Sequence, residues 1–148
     1  MVLVHPEIPH NTGATGRTCV ALDIELVLIR PYGFTLSDRQ LKRAGLDYWQ
    51  HVRLSEYASW DAFLAERQPR DGQMFLFEED AARSFYEPDY PDDAILVFGS
   101  ETKGLPRAIR ERHTTCEVSL PMRSRHIRSL NLANTVTAAA YQALRGKF

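Results

Sequence analysis

Absences narrow the reading of this chain before any motif does. Two cysteines, Cys19 and Cys116, are too few for a disulfide-stapled fold, and without an export signal they are expected as two reduced thiols. No apolar run approaches the roughly 20 residues of a membrane helix. Met1-Val2-Leu3-Val4-His5-Pro6 has neither the basic start nor the long apolar core of a signal peptide, so a cytoplasmic protein with no membrane partner is expected. No phosphate-binding glycine loop closes in Lys-Ser or Lys-Thr, and Gly13-Ala14-Thr15-Gly16 lacks the third glycine of a dinucleotide-binding turn. That sets aside nucleotide hydrolases and dehydrogenases. His113 and Cys116 make one isolated pair at metal-ligand spacing with no second pair, so no metal is expected. A Gly-x-Ser-x-Gly elbow is missing too, which removes support for a serine hydrolase.

What is present looks globular. The 148 residues are 44% apolar and 25% charged, which suits one domain over 1–148 with a core that needs no staple. The net charge of −1 conceals a division. Residues 78–93 carry seven acids against Arg83 alone, whereas 102–148 carry nine Lys and Arg against Glu111 and Glu117. A local basic footprint is what phosphate binding requires, whatever the total. Charge alone leaves a solvated basic face equally open.

Apolar patterning predicts strands at 2–4, 25–29, 73–77, 94–98 and 116–120. Helices are predicted at 11–22, 37–44, 59–67, 106–112 and 131–144, with Ser37 as a cap and Gly45 as a stop. On the 59–67 helix Trp60, Phe63 and Leu64 share a face, and Ala138, Ala139 and Ala140 suit the last helix to close packing. Alternation of strand and helix implies an α/β fold with a mostly parallel sheet and flanking helices. Ligands of such sheets sit at the carboxyl ends of the strands. The acidic 78–93 stretch reads as a surface excursion.

Two loops lie where such a ligand would be held. The run Ala94-Ile95-Leu96-Val97-Phe98 breaks into Gly99-Ser100-Glu101-Thr102-Lys103-Gly104-Leu105-Pro106. There Gly99 and Gly104 allow sharp bending or close approach of backbone to a ligand. Farther on, Arg128-Ser129-Leu130-Asn131-Leu132-Ala133-Asn134 places hydroxyl and amide groups at a helix start. Together they suggest a small-molecule pocket built largely from backbone.

Three segments taken in order strongly resemble the motifs of the SPOUT-class RNA ribose methyltransferases. They are Pro6-Glu7-Ile8-Pro9-His10-Asn11-Thr12-Gly13 through Arg17, Phe98 to Pro106, and Leu120-Pro121-Met122 leading into Arg128 to Asn134. A fourth match, Arg43-Ala44-Gly45-Leu46-Asp47-Tyr48-Trp49, is similar to the small branch that methylates the wobble nucleotide of tRNA. The resemblance runs from Val2 to Leu144. It implies a parallel α/β domain whose C-terminal segment is threaded into a trefoil knot, although general topology rules make knots rare. It also implies S-adenosyl-L-methionine as cofactor, the anticodon stem-loop of tRNA as partner, and a homodimer in which one subunit completes the other's site. Small and apolar surfaces on 6–22 and the last helix agree with a dimer, and a helix pair within one chain would use them equally well.

Carried onto this sequence, the resemblance assigns cofactor contacts to Leu76, Gly99, Glu101, Gly104, Leu120, Ser129 and Asn131. Core packing is the competing role for Leu76 and Leu120. It assigns the acceptor side to Arg17, with Glu7 and Asn11 fixing Arg17 or the substrate, and with Tyr141 near the acceptor or in the core. Guanidinium groups hold their proton at neutral pH, so Arg17 is read as binding the neighbouring phosphate and orienting the ribose; its part in proton removal stays open. The sequence departs from the pattern at Ala14-Thr15, at Ser100 and Lys103, and in a longer stretch Arg123-Ser124-Arg125-His126-Ile127. These departures bear on the substrate more than on the cofactor. Two alternatives stay open here: a ribosomal RNA methyltransferase of the same fold, and a non-catalytic RNA-binding module.

Overall fold

The computed structural model describes residues 1–34, 47–124 and 126–148. The expected helix at 37–44 and Arg125 lie outside the described residues, as does most of the fourth motif. Six parallel strands form one sheet in the order β3-β2-β1-β5-β4-β6. They are β1 (Val2–Val4), β2 (Leu26–Ile29), β3 (Leu54–Tyr57), β4 (Met74–Phe77), β5 (Ile95–Phe98) and β6 (Glu117–Val118). Among the described residues four α-helices accompany them: α1 (Pro9–Ala21), α2 (Trp60–Arg67), α3 (Arg107–Arg112) and α4 (Leu132–Ala143).

The apolar runs divide by the two-residue period of a strand, although they look continuous in sequence. Leu3, Leu28, Phe75, Phe77, Leu96 and Phe98 face one side, against Cys19 of α1 and Val136, Ala139 and Ala140 of α4. Val2, Val4, Val27, Ile29, Leu76 and Val97 face the other, against Trp60 and Phe63 of α2 and Ile109 of α3. Full burial of side chains of this size contributes roughly 1.5–3 kcal/mol each. These two layers therefore hold the fold, and the exposed loops need only shape the site.

Differences from the sequence expectation have local causes. β3 adds a strand to the expectation, because Leu54-Ser55-Glu56-Tyr57 is half polar; among the described residues it is an edge strand paired with β2. The strand expected at 116–120 shrinks to Glu117–Val118, because Thr114–Cys116 forms a 3₁₀ turn ahead of it. α1 begins at Pro9, whose missing N–H is no loss in the first turn. Ala138 is exposed while Ala139 and Ala140 are buried, and Leu64 is only half-buried beside Trp60 and Phe63. The acidic excursion is anchored rather than free: Phe85 and Tyr90 are buried, and the Tyr90 hydroxyl donates to the Phe85 carbonyl at 2.7 Å.

Both cysteines are free, as expected. Burial pushes the Cys19 thiol up to about 11, and the thiolate is the reacting form. A disulfide reagent at pH 8 should therefore titrate half-buried Cys116 first and reach Cys19 only after denaturant is added. Equal reaction of both thiols in the native protein would contradict the packing of α1. No helix among the described residues is long and apolar enough to cross a membrane.

Candidate functional site

Strand order reverses between β1 and β5: the chain runs β1, β2, β3 toward one edge and then places β5, β4 and β6 on the other side. In parallel sheets the loops at such a point diverge and leave a crevice beyond the carboxyl ends. A cleft of about 420 Å³ lies there, within the range of small-molecule sites. The ends of β4 and β5 supply its floor through Phe77, Glu78, Phe98 and Gly99, while Leu120 and Met122 follow β6 into it.

The glycine turn is shaped by contacts that a side chain would destroy. Ser100 and Gly104 exchange both backbone hydrogen bonds at 3.1 and 3.0 Å, closing 100–104 into a tight hairpin. A Cβ on Gly99 would sit 1.9 Å from the Gly104 carbonyl carbon. Gly104 has φ +65° and packs on the Glu78 carboxylate, which accepts the Leu105 N–H at 2.7 Å. Burial pushes Glu78 above the usual carboxylate range, while that N–H and Arg110 pull it back. Glu78 thus buttresses the turn from inside the cleft.

Glu101 ties this turn to the first motif. Its carboxylate accepts the Glu7 N–H at 2.8 Å, the Ile8 N–H at 3.2 Å and the Asn11 side-chain amide at 3.0 Å. It takes the place of a side-chain cap at the start of α1, where Ile8 offers none. Glu7 returns the contact by accepting both the N–H and the hydroxyl of Thr102, at 3.1 and 2.7 Å. Asn131 closes the set. Its oxygen caps α4 by accepting the Ala133 and Asn134 N–H groups, while its amide donates to Asn11 Oδ1 at 2.9 Å. Glu101, Asn11 and Asn131 therefore form one hydrogen-bonded chain that joins the glycine turn, the first turn of α1 and the cap of α4.

Of the residues expected at the site, Asn11, Gly99, Glu101, Gly104, Leu120, Ser129 and Asn131 all line the cleft. Glu7 stands behind Glu101 in the clamp. Leu76 is fully buried in the β4 layer facing α2 and α3, and the cleft is reached by Phe77 and Glu78 after it. Arg17 and Tyr141 are outside the cleft. Arg17 is exposed on α1 with its guanidinium 4.6 Å above the Tyr48 ring, and Tyr141, 52% exposed, leans against Phe148 with ring centroids 6.1 Å apart. The helices carrying them pack on each other within the chain, where the hydroxyls of Thr18 and Thr137 meet at 2.8 Å. Sequence reasoning missed Glu78 and Arg110, since a cleft-lining carboxylate reads like any other member of the acidic stretch. Arg110 joins Glu117, Asp80 and Glu78. Among the described residues no cluster of His, Cys, Asp and Glu is placed to hold a metal ion.

A parallel sheet with a polar cleft at its switch point, bordered by hydrogen-bonded carboxylate and amide side chains, defines an α/β domain with room for a small molecule at the carboxyl ends of its strands. Residues 1–141 match the SpoU rRNA Methylase family, and the chain belongs to it. It is 42% identical over 146 residues to the tRNA (cytidine(34)-2'-O)-methyltransferase of Burkholderia cenocepacia, covering 98% of this chain and 93% of the relative. A structure solved for the 2-OH methylation of C/U34 on tRNA superposes with a TM-score of 0.88 at 46% identity, over 97% of this chain and 92% of that one. The SpoU methyltransferase AviRb of Streptomyces viridochromogenes, solved with its cofactor AdoMet, shares the fold. Its TM-score is 0.78 at 24% identity, over 99% of this chain and 59% of that one.

Proposed function

We propose that this protein is a tRNA 2′-O-ribose methyltransferase, which transfers a methyl group from S-adenosyl-L-methionine to the 2′-hydroxyl of the wobble cytidine or uridine in the anticodon loop. The observation that carries the reading is the chain Glu101–Asn11–Asn131, which joins the first motif, the glycine turn and the start of α4 around one cleft. Relatives named for position 34 of tRNA cover almost the whole chain and supply the substrate part of the reading.

The cleft's own chemistry suits the cofactor. Gly99 and Gly104 leave backbone facing the space, and Ser129, Asn131 and Asn11 add neutral hydrogen-bonding groups. Bound there, S-adenosyl-L-methionine would supply an electrophilic methyl group. The ribose hydroxyl is a poor nucleophile and needs to be held in line with that carbon. Arg17 grips the phosphate beside it and fixes its orientation, as a forked guanidinium does well.

Arg17 and Tyr141 lie outside the cleft of their own chain, so we infer a homodimer in which they reach the partner's cleft. Exposed Tyr141 and Phe148, the latter 84% exposed, form an apolar pair suited to such a face. A threaded C-terminus belongs to the same reading. It is supported by Ser119, which exchanges backbone hydrogen bonds with Arg83 and Phe85, while Val118 before it accepts from Glu78 just after β4.

Incubation with total tRNA and, in parallel, with ribosomal RNA, each with methyl-labelled cofactor and followed by nucleoside mapping, tests the reading. Label is expected on the 2′-oxygen of residue 34, and label confined to ribosomal RNA would transfer the assignment to the other substrate class. Calorimetry should give one cofactor site per subunit. Ser129→Ala should weaken that binding about two- to tenfold, the worth of one hydrogen bond.

A further inference from the structure

Arg17 is held by an aromatic ring. No ion pair to Arg17 is found among the described residues, and its guanidinium carbon stands 4.6 Å from the centroid of the Tyr48 ring. The ring itself is fixed. Its hydroxyl donates to the Gly13 carbonyl of α1 at 2.8 Å, one helical turn before Arg17 and on the same side of the helix. Beside it, Trp49 lies so close to Gly16 that a Cβ there would come within 2.5 Å of the indole. The 3₁₀ turn Asp47–His51 is therefore seated on α1 at two places, Gly13 and Gly16.

We propose that Tyr48 is a positioning residue for Arg17 that holds the guanidinium by its face. This rests on the acceptor role read for Arg17 above. A carboxylate partner would occupy the N–H fork and cancel its charge. A ring attracts the cation through its π face and leaves the donors in the guanidinium plane free for a phosphate. It also restricts a long exposed side chain that would otherwise lose rotamer freedom each time RNA binds. Gly16 serves the same end by admitting Trp49, which keeps the turn and its tyrosine on the helix.

The test uses the full-length protein, labelled cofactor and tRNA, with Tyr48→Phe, Tyr48→Leu and Gly16→Ala. Tyr48→Leu should lower kcat/KM for tRNA about 2- to 30-fold, the range of a cation–π contact. Its cofactor affinity should stay unchanged. Tyr48→Phe keeps the face and should retain most of the activity, and Gly16→Ala should follow Tyr48→Leu without touching either member of the pair. On an Arg17→Lys background, Tyr48→Leu should cost less than it does alone. A second readout needs no substitution at Tyr48. In the wild-type NMR spectrum the Arg17 side-chain protons, identified by their loss in Arg17→Ala, should be shifted upfield by the ring current. Wild-type Arg17 protons at ordinary shifts would overturn the proposal, as would a folded Tyr48→Leu enzyme with full activity beside an inactive Arg17→Ala. Full activity in Arg17→Ala itself would instead remove the acceptor role and leave the ring contact to be judged by its spectrum.

Discussion

Gly99→Ala is expected to weaken cofactor binding about a hundredfold or more. The added methyl would lie 1.9 Å from the Gly104 carbonyl carbon and 2.1 Å from the Leu105 nitrogen. Both are backbone atoms, so no rotamer change relieves the clash, and the hairpin between Ser100 and Gly104 has to open. Overpacking costs about 1–3 kcal/mol where side chains yield, and rigid backbone puts this case at the upper end, near a hundredfold or more in affinity. Gly104→Ala meets a milder obstacle, the Glu78 carboxylate at 2.9 Å, with the added strain of φ +65°. Its binding should fall between wild type and Gly99→Ala. Calorimetry with circular dichroism as the folding check decides the matter: wild-type affinity in a folded Gly99→Ala protein would take the glycine turn out of the pocket.

Arg17→Ala should remove methyl transfer, by about a hundredfold or more in kcat, and leave cofactor affinity within a few fold. A group that acts only on the acceptor in the transition state shows that pattern. The location of Arg17 sharpens the expectation. Because it stands outside its own cleft, Arg17→Ala and Gly99→Ala subunits refolded together should regain activity that neither has alone. With random pairing, half the dimers are mixed and each holds one intact site, so recovery approaches about a quarter of wild type. Mixed samples with no recovered activity would place Arg17 in its own subunit's site and refute the shared one.

The clamp explains why the motif residues were legible while their arrangement was not. Glu101, Asn11 and Asn131 stand in three separate motifs and were each assigned to the site from sequence. Their mutual hydrogen bonds span 90 and 120 residues, and no local pattern encodes contacts of that range. Leu76 shows the opposite case. An apolar residue at a strand end gives the same signal whether it faces a cleft or a core, and the period of β4 turns Leu76 to the core layer while bringing Phe77 to the cleft. Glu78 was hidden by composition. It belongs to an acidic stretch that is mostly exposed, and only the packing of Gly104 and Leu105 against it distinguishes it.

By itself the sequence determined the layers and the ends of the elements. Apolar runs of strand length separated by helical segments leave little besides a parallel sheet between helices, because every such run must be buried on both faces. Glycine at 99 and 104 and asparagine at 131 marked a turn and a helix start through local backbone chemistry alone. Tertiary structure decided the rest. Which strands became neighbours, where the order reversed, which carboxylate was drawn into the cleft and which arginine came to lie on a tyrosine ring all depend on contacts between segments far apart in the chain. Such contacts form only once the core has brought those segments together, and burial then settles which of many similar polar side chains is held in a fixed place.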